Sequence, residues 1–263
     1  MEPLLKGKRV LVTRSVKQSA SMCARITAYG GEAVNVPLMK YERVPLSPEE
    51  RREWLTTVRR SDWIILTSQN SLKFFMEMID RPERLNGTRI AAVGKKTQKA
   101  LTEDYGLRVD FVPSRYTGHS LLESFRQGLI RAERVAVPIG SLSDTSWIEE
   151  LKRLGIEAIS KVLYETKPDL AQKNRLLKIV QSKTVDAITF ASPSAVRFFT
   201  ELLEEDVWRS AFKVCPVAVI GSTTARKLES LGHKPDVIPK QFTALDMIDA
   251  LADYFKKRKS YHE

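Results

Sequence analysis

Six short stretches place small or hydroxylated residues directly after an apolar run. They are Thr13-Arg14, Thr67-Ser68-Gln69-Asn70, Gly94-Lys95-Lys96-Thr97, Pro138-Ile139-Gly140-Ser141, Ala191-Ser192-Pro193-Ser194 and Gly221-Ser222-Thr223-Thr224. Most open a segment with helical spacing. A helix start leaves N–H groups without partners and carries partial positive charge, which suits a carboxylate or phosphate. Each stretch alone reads equally as an ordinary N-cap. A cap needs one hydroxyl, however, and several of these starts carry more. Thr243, at the start of the segment TALDMI, joins the candidates.

Other chemistry finds less support. GKKTQK and GSTTAR lack the spacing of a phosphate-binding P-loop, and no GxGxxG occurs. His119, His233 and His262 form no metal-ligand set, and neither Cys23 nor Cys215 lies in a CxxC pair. No Ser/His/Asp arrangement is evident. Asp62 and Asp186 begin strands and so stand at the opposite end of a sheet from the hydroxylated stretches. The expected site is an anion-holding cleft with little acid–base machinery. Its best catalytic candidate is Tyr164, in an extended segment, with Tyr41 in the matching place earlier in the chain. The alternative for Tyr164 is a ring packed for structure, with its hydroxyl on a backbone carbonyl.

The balance of 43 Lys and Arg against 32 Asp and Glu gives a formal charge of +11, which favours an anionic partner. The clusters Arg51-Arg52, Arg59-Arg60 and Lys256–Lys259 read as solvated helix ends or tail, and no basic stripe interleaved with aromatics marks a nucleic-acid surface. No apolar run reaches the ~18 residues of a membrane span. The first residues enter a strand pattern without the apolar core of a signal peptide. With two isolated cysteines, a cytoplasmic protein with buried thiols is expected.

The elements that must position these residues alternate between strand and helix. Apolar runs at Val10–Thr13, Ala33–Leu38, Trp63–Leu66, Ile90–Val93, Val109–Val112, Val135–Pro138, Ile156–Tyr164, Ala187–Phe190, Val217–Ile220 and Asp236–Ile238 read as strands. Helices are expected after Ser15, from Pro48, over Leu72–Ile79, Thr97–Tyr105, Gly118–Phe125, Trp147–Leu154, Leu170–Val180, Ala195–Leu203, Thr224–Leu231 and Ala244–Phe255. Such alternation implies parallel sheets covered on both faces. The chain also repeats itself. DWIILTSQNSLKFF answers DAITFASPSAVRFF, RIAAVGKKT answers PVAVIGSTT, and DFVPSRYTGHSLL answers DVIPKQFTALDMI. The offset is 124 positions between Ser68 and Ser192 (192 − 68) and 127 between Thr97 and Thr224 (224 − 97). This is a domain-sized duplication, which predicts two similar α/β lobes facing one site. Residues 1–37 with 168–263 form one expected domain and 46–160 the other. Two connectors, 38–45 and 161–167, are expected to pair as a two-stranded β linker.

Taken together, LVTR at Leu11–Arg14, TSQNSL at Thr67–Leu72, AVGKKT at Ala92–Thr97, YET at Tyr164–Thr166, FASPSAV at Phe190–Val196 and AVIGSTTA at Ala218–Ala225 resemble uroporphyrinogen-III synthase. The resemblance covers nearly the whole chain. It implies two flavodoxin-like domains and no cofactor. It also implies a lyase that closes linear hydroxymethylbilane to uroporphyrinogen III with inversion of ring D and loss of water. That substrate carries carboxylates on every pyrrole and so matches the cationic chain. By resemblance, the family's tyrosine falls on Tyr164 and its paired threonines on Thr97 and Thr224. Arg14, Thr67, Ser68, Asn70, Gly94, Ser192, Ser194, Gly221 and Thr243 complete the expected substrate contacts. Gln69 stands where the family often has a smaller residue. A monomer is expected, with at most a transient contact to the preceding pathway enzyme, and no nucleic acid or membrane. The rival readings are a bilobed sensor of an anionic metabolite without catalysis and, on charge alone, a nucleic-acid-binding protein.

Overall fold

The computed structural model describes residues 2–79, 85 and 87–260. In chain order, β1 (Arg9–Val12), α1 (Val16–Ala28), β2 (Glu32–Asn35) and β3 (Met39–Arg43) come first. Then follow α2 (Pro48–Arg60), β4 (Trp63–Leu66), α3 (Gln69–Ile79), β5 (Arg89–Ala92), α4 (Lys95–Tyr105) and α5 (Gly118–Arg126). The middle continues with β6 (Arg134–Gly140), α6 (Ser146–Arg153), β7 (Glu157–Pro168) and α7 (Lys173–Gln181). The remainder is β8 (Ala187–Phe190), α8 (Pro193–Leu202), α9 (Glu205–Val214), β9 (Val217–Val219), α10 (Ser222–Glu229) and α11 (Ala244–Ser260).

The chain divides into two compact units. The first holds Met1–Lys40 and Lys167–Glu263, and the second holds Tyr41–Thr166. The first unit has a four-stranded sheet in the order β2-β1-β8-β9, with all pairs parallel. Successive residues of β1 feed opposite faces: Leu11 packs with Phe190, Phe199 and Phe212, while Val10 and Val12 pack with Met22, Ile26 and Leu251. The second unit has a five-stranded sheet in the order β3-β7-β6-β4-β5. Here β4, β5, β6 and β7 run parallel, with Ile64 and Leu66 on one face and Trp63 and Ile65 on the other. β3 is different. Its flanking bonds, Asp169 N–H to Leu38 O and Val44 N–H to Leu163 O, both 2.9 Å, run in opposite chain directions, so it lies antiparallel to β7.

Each unit closes its sheet ends the same way. Asp62 accepts the Glu133 and Arg134 N–H groups at 2.7 and 3.0 Å, and Asp186 accepts that of Arg9 at 2.8 Å. Asp110 accepts from Ile90 at 2.9 Å and Asp236 from Val217 at 2.8 Å. Four carboxylates thereby satisfy N–H groups at or beside the starts of strands.

The structure corrects several expected elements. Neither Val109–Val112 nor Asp236–Ile238 forms a strand; each contributes one isolated bridge, Phe111 to Ala91 and Val237 to Ala218. The run from Ala33 is regular strand only as far as Asn35, after which Val36 N–H still donates to Val12 O at 2.9 Å. The expected helix over Leu170–Val180 is broken into a 3₁₀ turn, Leu170–Gln172, and α7. α9 was not expected at all; Trp208, Ala211 and Phe212 bury its inner face. Ser15 makes no side-chain cap, whereas Ser47 forms a full capping box with Glu50 ahead of Pro48. His262 lies outside the described residues.

Candidate functional site

Because β1, β2, β8 and β9 run parallel in one sheet and β4 to β7 in the other, their carboxyl ends share one edge in each, where open α/β sheets bind ligands. In the second unit that edge collects Thr67 and Ser68 after β4, Gly94 after β5, and Gly140 at the end of β6. In the first it collects Arg14 after β1, Ser192 after β8 and Gly221 after β9.

Tyr164 sits within this framework in the second unit. It is 7% exposed, its ring is stacked on Phe74 with centroids 4.9 Å apart, and Tyr41 meets it edge-on at 5.9 Å. Gly140, in the neighbouring strand, makes room for it. A Cβ there would fall 2.3 Å from Tyr164 Cζ and 2.6 Å from the phenol oxygen. Burial pushes the phenol's pKa above its ordinary value of 10.0, a hydrogen bond with the Ser68 side chain opposing it and the neighbouring Tyr41 phenol adding to it. The group therefore stays protonated and keeps an O–H to donate.

Several candidate hydroxyls are committed to the fold. Ser68 Oγ accepts the Ser71 N–H at 3.0 Å, Ser192 Oγ accepts that of Ala195 at 3.2 Å, and Thr243 Oγ1 accepts that of Asp246 at 3.1 Å. Ser194 Oγ lies 3.0 Å from Ser192 Oγ. Thr13 is fully buried and donates to Thr189 O at 2.8 Å, so it faces its own sheet. Thr67 and Asn70 are partly exposed around the start of α3. Arg14 is held in its turn by Asn35, whose side-chain amide donates to Val12 O and Arg14 O at 3.0 and 2.9 Å.

α4 and α10 are built differently. Each begins at a glycine, Gly94 or Gly221, and neither has a side-chain cap. Gly94 has φ +122°, a conformation that requires glycine, while Gly221 is extended at φ 175°. Thr97 and Thr224 occupy the third helical position of each and are 3% and 2% exposed. No side-chain hydrogen bond occupies either hydroxyl among the described residues. These two starts leave their amides open to an anionic ligand, which the capped starts of α3 and α8 do less fully.

The sequence reading singled out Tyr164 and Ser68 but missed Phe74 and the role of Gly140 as the seat of the Tyr164 ring. The only hint was a glycine at the end of an otherwise apolar strand, a sign of close approach. A groove of about 610 Å³ in the first unit, lined by Arg9, Glu32, Asn174, Arg175 and Lys178 among others, contains none of the expected site residues. Among the described residues no His/Cys/Asp/Glu group could hold a metal ion, and no helix is long and apolar enough to cross a membrane.

Known proteins share this fold. Crystal structures of a mutant uroporphyrinogen III synthase from Thermus thermophilus and of uroporphyrinogen-III synthetase from Helicobacter pylori superpose with TM-scores of 0.63 and 0.64. The alignments cover 95% of this chain and 99% of the first, and 94% and 98% for the second. At 21% and 18% identity, they establish a common α/β fold with parallel sheets. Uroporphyrinogen-III synthase of Chlorobaculum parvum is 27% identical over 95% of this chain and all of its own length. That of Synechococcus elongatus is 24% identical over 97% and 98%. The family model described as uroporphyrinogen-III synthase HemD matches residues 20–249, a span that takes in Ser68, Gly94, Tyr164 and Gly221, and the chain belongs to that family.

Proposed function

We propose that the chain is a uroporphyrinogen-III synthase, a lyase that closes hydroxymethylbilane to uroporphyrinogen III. The observation that carries this reading is Tyr164, a buried phenol kept protonated at the carboxyl edge of a parallel sheet in a chain of this family. The reaction needs little base. The pyrrole nitrogen pushes out the terminal hydroxyl, and a hydrogen bond from the Tyr164 O–H assists its departure as water. The substituted carbon of ring D attacks the resulting azafulvene, the spiro intermediate reopens, and the ring recloses inverted. The proton lost as the last pyrrole rearomatises balances the one consumed in forming water.

On this reading the substrate carboxylates are held by the open starts of α4 and α10, with Thr97 and Thr224 beside them, and by Arg14, Thr67, Asn70 and Ser194. Ser68, Ser192 and Thr243 act through the helix starts they cap. The two units correspond to flavodoxin-like domains, residues 1–37 with 168–263 and 46–160, and β3 with the second half of β7 serves as the linker over 38–45 and 161–167. Pairing of these two strands supports that assignment. The protein acts as a monomer in the cytoplasm, a placement that the free thiols of Cys23 and Cys215 fit.

The test is a cyclisation assay on hydroxymethylbilane, with the product oxidised and its porphyrin isomers separated. Type III isomer formed well above the spontaneous type I background is the expected result. Binding of the bilane without acceleration would establish a sensor instead.

A further inference from the structure

Two exposed aromatic residues, one in each unit, occupy matching places that neither the core nor the chemistry above explains. Tyr116 is 50% exposed and Phe242 is 63% exposed. Each immediately precedes a threonine cap. Thr117 Oγ1 accepts the Ser120 N–H, and Thr243 Oγ1 accepts that of Asp246, both at 3.1 Å. Each also lies against the glycine that starts another helix of its own unit. The Phe242 ring fills the space a Cβ on Gly221 would need, with Cγ 3.0 Å and Cδ1 3.1 Å from that position. Tyr116 Cβ is 3.8 Å from the corresponding point on Gly94. In the first unit, then, a side chain at the glycine would crowd the ring and push it aside by a few tenths of an ångström, whereas its extended φ of 175° suits any residue.

The ordinary role for an apolar residue just before an N-cap is a hydrophobic staple, packed on the fourth helical residue. Those partners are Leu121 and Met247, both already fully buried. A staple buries its ring, and these rings stay half or more in solvent. Beside them stand cations. Lys95 and Lys96 open α4, Arg115 precedes Tyr116 and Lys240 lies two residues before Phe242; all are exposed, and none makes an ion pair among the described residues. Each unit thus sets an exposed ring against an uncapped helix start, with a cation one or two positions before the ring in sequence.

We propose that Tyr116 and Phe242 are stacking positions that each hold the face of one carboxylated pyrrole of the substrate. The inference rests on the synthase reading for the identity of the ligand. A pyrrole bearing acetate and propionate is flat and electron-rich with anions at its rim. The aromatic ring takes the face, and the helix-start amides and lysines take the rim. A pyrrole held in this way fixes part of the flexible bilane while its terminal ring turns over.

The experiment compares the full chain with Tyr116→Leu, Phe242→Leu, the double variant, and the conservative Tyr116→Phe and Phe242→Tyr. Leucine retains a staple and loses the stacking face. KM for hydroxymethylbilane is expected to rise roughly three- to tenfold in each leucine variant, with kcat within about twofold, and to be restored in the aromatic variants. Uroporphyrin III, a flat polycarboxylate probe, should lose affinity in the same order by fluorescence anisotropy. Active leucine variants with unchanged KM and porphyrin affinity would overturn the proposal, and a lowered Tm alone would assign the rings to stapling. A wild-type chain that binds uroporphyrin III in a ring-dependent way yet makes no type III isomer would overturn the synthase reading and leave the stacking seats standing.

Discussion

Two side chains separate chemistry from scaffolding. Tyr164 presents a donor whose proton is secured by burial, so Tyr164→Phe should fold with an unchanged melting temperature and bind the bilane nearly as well. Its kcat should fall by ~10², the low end for general-acid assistance, because the substrate ionises readily on its own. The type III isomer should remain the product. Turnover at the wild-type rate would remove the acid role, and a switch to the non-inverted isomer would make Tyr164 a positioning residue. Asp62 is the opposite case. The Arg134 and Glu133 N–H groups, in that order, hold its carboxyl below the usual range, with desolvation opposing them. A depressed carboxylate contributes stability above its unfolded value of ~3.9 and loses it as pH falls through the folded value. Asp62→Asn should therefore cost about 1–3 kcal/mol at pH 7, at the lower end because the group is partly exposed. The cost should shrink towards zero near pH 2. Urea titrations at both pH values check it; an equal deficit at each would mean that the charge is not what the backbone is reading.

The strand-to-helix junction, repeated around each sheet edge, is the working element, and it shows how far the sequence could be read. Apolar runs followed by hydroxylated residues located the carboxyl edge, because buried parallel strands leave a composition that polar helix starts interrupt. Sequence could not rank the starts. Ser68, Ser192 and Thr243 have the same composition as free donors but spend their oxygens on caps, while α4 and α10 begin at glycines and keep their amides open. The distinction lies in backbone geometry, which residue types do not encode. Nothing in the sequence marks α9 off from α8, because Glu204-Glu205 follows Leu202-Leu203 with no glycine or proline to signal a new helix. By composition Gly140 is one more small residue after an apolar run. Its meaning depends on Tyr164, which is brought alongside by a register shift in the β6–β7 pairing. Gly140→Ala should drive the Tyr164 ring from its stack on Phe74. We expect destabilisation of ~1–3 kcal/mol from overpacking and a loss of kcat at least as large as that of Tyr164→Phe. Thermal unfolding and turnover measured together check both parts; an alanine variant with full activity would show that the ring has another place to go.

At the level of the whole molecule, the duplication and the two units do not coincide. The sheet orders β7-β6-β4-β5 and β2-β1-β8-β9 match strand for strand when β6-β7 is set against β1-β2 and β4-β5 against β8-β9. Each unit thus takes its βαβ portion from one sequence repeat and its remaining strands from the other. The second unit, Tyr41–Thr166, is nevertheless one continuous segment, and the Val44–Leu163 hydrogen bond brings its ends side by side. Residues 41–166 expressed alone should fold cooperatively, with a single urea transition. A broad transition, or exposed apolar surface detected by dye binding, would show that the segment depends on the rest of the chain.

The pairing of β1 with β8, in which Leu11 lies beside Ile188, also sets an order of events during synthesis. The ribosome releases Val10, Leu11 and Val12 early, yet their partner strand is not made until the whole intervening unit has emerged. At ~5–20 residues per second this is a wait of roughly 10–35 s. Throughout it, β1 and β2 form an apolar pair with an unfilled edge, the kind of surface that invites a neighbouring nascent chain. The inserted unit can complete itself in that interval, so the newborn protein passes through a stage with one finished half and one adhesive stub. Its yield in a cell should therefore depend on chaperones that cover short apolar strands, and slowing translation after residue 166 should lower the soluble fraction.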